Sequence, residues 1–277
     1  MMSNEDEARA VIARLEALAD RRMIQHAQGQ VCWRGFGSGQ PLVLIHGGHG
    51  SWLHWVRNIE VLASRYAVWV PDLPGYGDST GPDDPSDFDA LLEALNSTLD
   101  TLLGANTPID VAGFSFGSIV TTMLAARRPG VQRLALVGVP GQGSARRQHT
   151  KLVNWRRSSD PAIVDADLTQ NLQAFMIYGP VDALALTVHR HSCVHTRFRS
   201  KRISQSPVLP EALQRFGGPA LILWGEHDVT CTPQDLGPRL VDVRADREWG
   251  IVPGAGHWLQ YEDPDTVNQR LLDWFGR

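Results

Sequence analysis

The sequence predicts an α/β fold: a mainly parallel, doubly wound sheet of eight strands flanked by helices, with a helical cap insertion. Three observations carry that expectation. Short apolar runs closed by glycine or proline recur along the 277 residues. Stretches of helical period separate them. The runs are apolar at successive positions rather than alternating, as strands covered on both faces require.

The elements follow in order. Ala8, Val11, Ile12, Leu15 and Leu18 fall at helical spacing near Glu5–Asp20, so residues 1–22 read as an N-terminal helical extension. Met23–Ala27 and Gln30–Arg34 read as a hairpin turning at Gln28-Gly29. The runs PLVLIHGG, YAVWVPDLPG, IDVAGFSFG, RLALVGVPG, ALILWGEHD and REWGIVPGAG then mark buried strands. Helical period appears over Trp52–Ala63, Asp87–Leu103, Ser118–Arg128, Pro233–Leu240 and Asp263–Phe275. From Gly141 to Pro210 the rhythm breaks: no strand-like run appears, and helical stretches are interrupted by Asp160-Pro161, Gly179-Pro180, Pro207 and Pro210. Residues 141–210 are therefore expected to form a cap above the strand ends, on a core made of 23–140 and 211–277.

Composition narrows the function classes. Hydrophobic residues make up 43% and charged residues 20%, which excludes a disordered chain. No apolar run approaches a membrane span, and the acidic start MMSNEDEARA lacks the basic flank of a signal peptide, so a cytoplasmic location is expected. Cys32, Cys193 and Cys231 are odd in number and far apart, fitting neither a disulfide framework nor a zinc site. The net charge of −4 is uneven: residues 141–210 carry +6 and the remainder −10. Without aromatic interleaving or a motif, the basic segment does not point to nucleic acid; an anionic small substrate or a solvated face fits better. His191 and His195 are four apart near His189, but no carboxylate or cysteine cluster accompanies them, so no metal is expected. The nine tryptophans read as core and pocket lining.

The chemistry is concentrated at strand ends. Gly113-Phe114-Ser115-Phe116-Gly117 is a G-x-S-x-G motif between a strand and a helix, a tight turn that lifts the serine hydroxyl above the sheet. A serine is a poor nucleophile without a base. His257, in Gly254-Ala255-Gly256-His257-Trp258, returns from the last strand to the same edge. Asp228, in Trp224-Gly225-Glu226-His227-Asp228, is the carboxylate expected to orient it, with Glu226 as competitor. The order Ser, Asp, His is the one this type of sheet uses. Backbone N–H groups of Phe116 and of the turn His46-Gly47-Gly48-His49-Gly50, with Gly48 as the donor, would stabilise an oxyanion.

In this order and spacing, HGGHG, PDLPGYGDS, GFSFG, WGEHD and GAGHW resemble the α/β-hydrolase superfamily with an inserted helical cap, over roughly Met23 to Phe275. The resemblance implies hydrolysis by Ser115, His257 and Asp228 with no cofactor, and the elbow serine argues against the aspartate-dependent epoxide hydrolases and haloalkane dehalogenases. Asp72, in the PDLPGYG turn, resembles a structural feature of these proteins. LVGVPGQG (Leu136–Gly143) and His257-Trp258 are similar to meta-cleavage-product hydrolases, which split a carbon–carbon bond in carboxylate-bearing 2-hydroxy-6-oxo-dienoates. Arg190, Arg197 or Arg199 would then clamp the carboxylate, with Trp258 and Phe114 at the substrate. Phe114 departs from the asparagine common there and is more like a general carboxylesterase, so ester and C–C substrates both stay open. The alternative to an enzyme is a catalytically silent member kept as a binding protein. The expected partner is a small molecule, not nucleic acid or membrane, and the N-terminal helix offers a surface for a homo-oligomer.

Overall fold

The computed structural model describes residues 3–140, 142–143, 147, 150–241 and 244–277. Gly141, where the insertion was expected to begin, lies outside them, as do Met1, Met2 and Arg146.

Helix α1 (Asn4–Leu18) starts on a capping box, Ser3 accepting from the backbone of Asp6 while the Asp6 carboxylate accepts from Ser3. Strands β1 (Asp20–His26) and β2 (Gly29–Phe36) form the hairpin, paired antiparallel from His26↔Gly29 to Asp20↔Gly35. The sheet thus begins inside the stretch expected to be an N-terminal extension. Asp20, Arg21 and Arg22 lie on an exposed edge strand, where charged residues pair through backbone without leaving an apolar pattern. After β3 (Gln40–Ile45), Trp52–Trp55 forms a 3₁₀ turn and α2 covers Ile59–Ala63, so the single helix expected there is divided. Then come β4 (Tyr66–Pro71), α3 (Phe88–Leu103), β5 (Ile109–Phe114), α4 (Phe116–Ala125) and β6 (Val131–Val137).

Between β6 and the next strand lie a 3₁₀ turn at Trp155–Arg157 and helices α5 (Pro161–Phe175), α6 (Ala183–Val194), α7 (Lys201–Ser204) and α8 (Leu209–Phe216). The chain closes with β7 (Ala220–Gly225), α9 (Pro233–Val241), β8 (Arg247–Val252), α10 (Leu259–Glu262) and α11 (Pro264–Phe275). Helical period was expected over Asp263–Phe275, the stretch that α11 fills, and the short α10 before it was not foreseen. Asp263 separates them, its side chain capping the backbone of Thr266 with Pro264 at the first position.

The eight strands form one sheet in the order β1-β2-β4-β3-β5-β6-β7-β8, with β3 to β8 parallel and β2 pairing antiparallel with both β1 and β4. Alternate residues feed two separate cores. Leu42, Leu44, Ala112, Ala135, Val137, Leu221 and Leu223 enter one. Val43, Ile45, Val111, Leu134, Leu136, Ile222 and Trp224 enter the other. Both faces are covered, which is why each strand reads as an unbroken apolar run. Each fully buried aliphatic side chain contributes about 1.5–3 kcal/mol, so a one-residue slip of a central strand gains nothing. Chain order reverses at β3, with β4 on one side and β5 on the other, and such a switch point opens a crevice at the strands' carboxyl ends. Among the described residues no helix is long and apolar enough to cross a membrane.

Candidate active site

Ser115 stands between β5 and α4 with φ 54° and ψ −119°, a backbone conformation rare for a side-chain-bearing residue and costing about 1–3 kcal/mol. The neighbouring glycines make this turn sterically open. A Cβ on Gly113 would lie 2.4 Å from the carbonyl oxygen of Gly117, and one on Gly117 would lie 2.5 Å from that of His46. The turn is pinned from below: Ser115 N–H donates to Val137 O (2.8 Å) and Ser118 Oγ donates to Gly113 O (2.9 Å).

Two loops bring partners to it. His257 Nε2 lies 2.9 Å from Ser115 Oγ, and its Nδ1 lies 2.8 Å from Asp228 Oδ2. Both His257 and Asp228 side chains are fully buried. The other carboxylate oxygen, Asp228 Oδ1, accepts from Thr230 N–H (2.7 Å) and Thr230 Oγ–H (2.6 Å), which fixes the rotamer facing the imidazole. Glu226 is turned away and accepts from Gly254 N–H instead. The imidazole edge sits between Phe114 and Phe175, 5.1 and 5.4 Å between ring centres. The loop carrying it is fastened to the β6–β7 segment: Trp258 N–H donates to Met176 O (2.7 Å), and Glu262 accepts from the N–H groups of Gly256, Tyr178 and Gly179. Burial raises the Glu262 carboxyl above its ordinary range, against those three donors.

A cavity of about 520 Å³ opens over Ser115. Gly48, Phe114 and Phe116 form its floor, with Phe175, Met176, Leu152 and Trp155 supplying apolar walls from the β6–β7 segment. As the first residue of α4, Phe116 has a backbone N–H that intrahelical bonding does not use. Gly48 flanks the same cavity from the turn after β3. His49, a non-glycine residue at φ 51°, and His189 face the cavity as well, and burial lowers both imidazoles, His189 to about 3. Cys193 lies 3.5 Å from His189 Nε2, but burial pushes its thiol up to about 12, so this pair supplies no thiolate.

Of the residues expected at the substrate, Phe114 lines the cavity and three others are held elsewhere. Trp258 belongs to the core behind His257, where its Nε1 donates to His54 O (3.0 Å) and its ring stacks on Tyr261. Arg190 pairs with Asp165 and borders a separate depression beside Glu5 and Arg9. The Arg197 guanidinium donates to the carbonyls of Gly77 (3.1 Å) and Ser79 (2.6 Å). Among the described residues, the Lys or Arg that lines the cavity is Lys201, together with Asn154, Asn171, Ser200 and Ser204. Nothing in the local sequence pattern distinguishes Lys201 from its basic neighbours.

Two other polar centres have structural partners. His46 Nε2 accepts from Leu73 N–H (2.9 Å) while Nδ1 faces Gly47 O, so this buried ring is neutral and ties the end of β3 to the turn after β4. Cys32, Asp72 and Asp78 bring ligand atoms within 4.8 Å of one another, as a metal site would. The Arg34 guanidinium fills that space, 3.3 Å from Cys32 Sγ, 3.0 Å from Asp72 and 2.6 Å from Asp78. Asp72 also accepts from the backbone of Trp52 and Asp78.

Residues 42–270 match the alpha/beta hydrolase family. The chain is 28% identical over 264 residues to the 2-hydroxy-6-oxononadienedioate/2-hydroxy-6-oxononatrienedioate hydrolase of Paraburkholderia phymatum, covering 86% of this chain and 88% of that one. It is 30% identical over 254 residues to the dihydrolipoyllysine-residue acetyltransferase component of the acetoin cleaving system of Pseudomonas putida. That match takes in 84% of this chain but spans only 63% of the longer relative. The carboxylesterase CesB of Bacillus subtilis superposes with a TM-score of 0.73 at 19% identity, covering 99% of each chain, a likeness of fold. With the sheet order and the match over most of its length, the chain belongs to the alpha/beta hydrolase family, as a hydrolase related to these proteins.

Proposed function

We propose that the chain is a serine hydrolase acting on a small carbonyl substrate through Ser115, His257 and Asp228. The observation that carries this reading is the unbroken hydrogen-bonded chain from Asp228 through His257 to the strained Ser115. Ser115 Oγ adds to the carbonyl carbon as its proton passes to His257 Nε2, and Asp228 keeps the imidazole in the tautomer that can accept it. Negative charge then gathers on the carbonyl oxygen, where the N–H groups of Gly48 and Phe116 would receive it. The imidazolium returns the proton to the leaving group, and water activated by the same histidine releases the acyl group. Residues 141–210 act in this reading as the cap that walls the substrate. All three positions of the triad are present, which disfavours a silent binding protein.

The acyl pocket is apolar on the side of Phe114, Phe175 and Leu152, which suits a simple ester. A second reading is cleavage of a C–C bond in a carboxylate-bearing vinylogous diketone. It draws on the likeness to the dienedioate hydrolase and on Lys201, a cation at the cavity able to receive a carboxylate. A fluorophosphonate probe tests the nucleophile: labelling of wild type and none of Ser115→Ala is expected, and full activity of Ser115→Ala would end the proposal. Turnover of p-nitrophenyl butyrate against a 2-hydroxy-6-oxo-dienoate separates the two substrate classes. Ester turnover without dienoate bleaching removes the C–C reading.

A further inference from the structure

Ser200 occupies an unusual place for a residue of the β6–β7 segment. Its Oγ sits over the backbone of Gly48: a Cβ added to that glycine would lie 2.7 Å from Ser200 Oγ and 3.7 Å from Phe116 Cβ. Gly48, Phe116, Ser200 and the nucleophile Ser115 all line one cavity. The two backbone groups assigned to the oxyanion and this side-chain hydroxyl therefore converge on one corner of it.

The hydroxyl is held there by its own support. Arg197 and Phe198 donate their backbone N–H groups to Gly75 O (2.9 and 3.1 Å), and Arg199 donates its own to Pro85 O (2.7 Å). The Arg197 guanidinium adds bonds to Gly77 and Ser79. The Phe198 ring packs on Phe116 and Tyr76, about 6.0 Å between centres in each case. Behind Ser200 lies Tyr76, wholly buried, whose hydroxyl faces Ser200 and has no fully formed hydrogen bond to another described group. A buried phenol without a partner costs about 1–3 kcal/mol, and burial pushes its own ionisation up, so it remains a neutral donor.

We propose that Ser200 is a third hydrogen-bond donor of the oxyanion site, delivered by the inserted segment and backed by Tyr76. The proposal rests on the reading of Ser115 as nucleophile. Tyr76 Oη–H donates to Ser200 Oγ, which leaves the Ser200 proton to point at the carbonyl oxygen as charge develops on it. No atom is transferred; the bond strengthens only as the tetrahedral intermediate forms, so it acts on kcat rather than on substrate affinity. Arg197 acts through this segment as a positioning residue.

The test compares Ser200→Ala and the near-isosteric Ser200→Cys with wild type, using p-nitrophenyl butyrate and a boronic acid that forms a tetrahedral adduct with Ser115. Removal of one oxyanion donor costs about 10²-fold or more in kcat. Ser200→Ala is expected to lose kcat on that scale with KM within about twofold, and boronate affinity is expected to fall in parallel. Tyr76→Phe should move kcat the same way by a smaller factor. A change confined to KM, or boronate binding equal to wild type in either Ser200 variant, overturns the role. If Ser200→Ala does not fold, Ser200→Cys with wild-type kcat overturns it alone. Failure here leaves labelling of Ser115 by a fluorophosphonate intact, whereas failure of the triad abolishes that labelling.

Discussion

Glu226 and Asp228 leave the same strand two residues apart, yet only Asp228 reaches His257, 2.8 Å from Nδ1, while Glu226 caps the Gly254 amide. The difference is set by Thr230, whose N–H and hydroxyl both bind Asp228 Oδ1. Asp228→Asn is therefore expected to lower kcat by about 10⁴-fold, because an amide facing Nδ1 favours the wrong tautomer. Glu226→Gln should stay within a few-fold of wild type. Steady-state kinetics on one ester decides the matter, and comparable losses in both variants would show that the assignment of the carboxylate is mistaken.

Gly117 tests the elbow through stability. An alanine there drives its methyl against the carbonyls of Ile45 and His46, at 2.6 and 2.5 Å, and neither is free to move because β3 is a central strand. Overpacking of this kind costs about 1–3 kcal/mol or more. Gly117→Ala should lower the free energy of unfolding by that amount and reduce labelling of Ser115. Unchanged stability would mean that the turn is looser than its contacts imply.

The strands and the turn that carries Ser115 were legible in the sequence because each is a local signal. Leu42 to Ile45 feeds both cores by simple alternation, and Gly113 and Gly117 flank Ser115 within one pentapeptide. The residues lining the cavity were not, because their placement depends on contacts between distant segments. Arg197 is drawn off by carbonyls at Gly77 and Ser79, about 120 positions earlier, and that same anchoring carries Ser200 and Lys201 to the cavity. Trp258 adjoins His257 in sequence but turns back on Tyr261, since successive residues of a loop need not face one way. Helical period over 183–194 marks His191 and Arg190 as neighbours without saying that their face meets α1 rather than the substrate.

Glu262 joins the His257 loop to the inserted segment. Its two oxygens serve Gly256 N–H at 2.6 Å and the Tyr178 and Gly179 N–H groups at 2.9 Å. A glutamine has one acceptor oxygen, so Glu262→Gln points an NH₂ group at one set of donors. A loss of about 1–3 kcal/mol is expected for donors left unpaired. Because Gly256 precedes His257, kcat should fall as well. A drop in melting temperature with unchanged kcat would confine Glu262 to holding the fold.

Lys201 and the two arginines give opposite expectations for an acidic substrate. A hydrogen bond to a charged group contributes about 1.5–3 kcal/mol, so Lys201→Met should raise KM for a carboxylate-bearing substrate by roughly 10- to 100-fold and leave a neutral ester nearly unchanged. Arg190→Ala and Arg197→Ala should affect both substrates alike, because their guanidiniums are committed to Asp165 and to backbone carbonyls. Equal shifts for both substrates in Lys201→Met would remove its role in recognition.

Stability should fall steeply on acidification, and the buried histidines set the direction. Burial holds His189 near 3 and keeps His46 and His54 below the 6.5 of an exposed imidazole, His54 by a wide margin. Below about pH 6.5 the unfolded chain therefore binds protons that the folded chain refuses, for His189 down to about 3, so these groups cost no stability above pH 6.5 and progressively more as the pH falls. Within that window His189 contributes a slope of about 1.4 kcal/mol per pH unit. Asp110 acts the other way: burial raises its carboxyl to about 6, so the folded chain takes up its proton before the unfolded chain does and partly offsets the loss between about 6 and 3.8. Denaturant unfolding at pH 7, 6, 5 and 4 should show a net decline. His189→Asn should flatten it by about one proton's worth, and Asp110→Asn should steepen it. A stability curve flat from pH 7 to 4 in the wild type would mean that these rings are protonated, or solvated, in the folded chain.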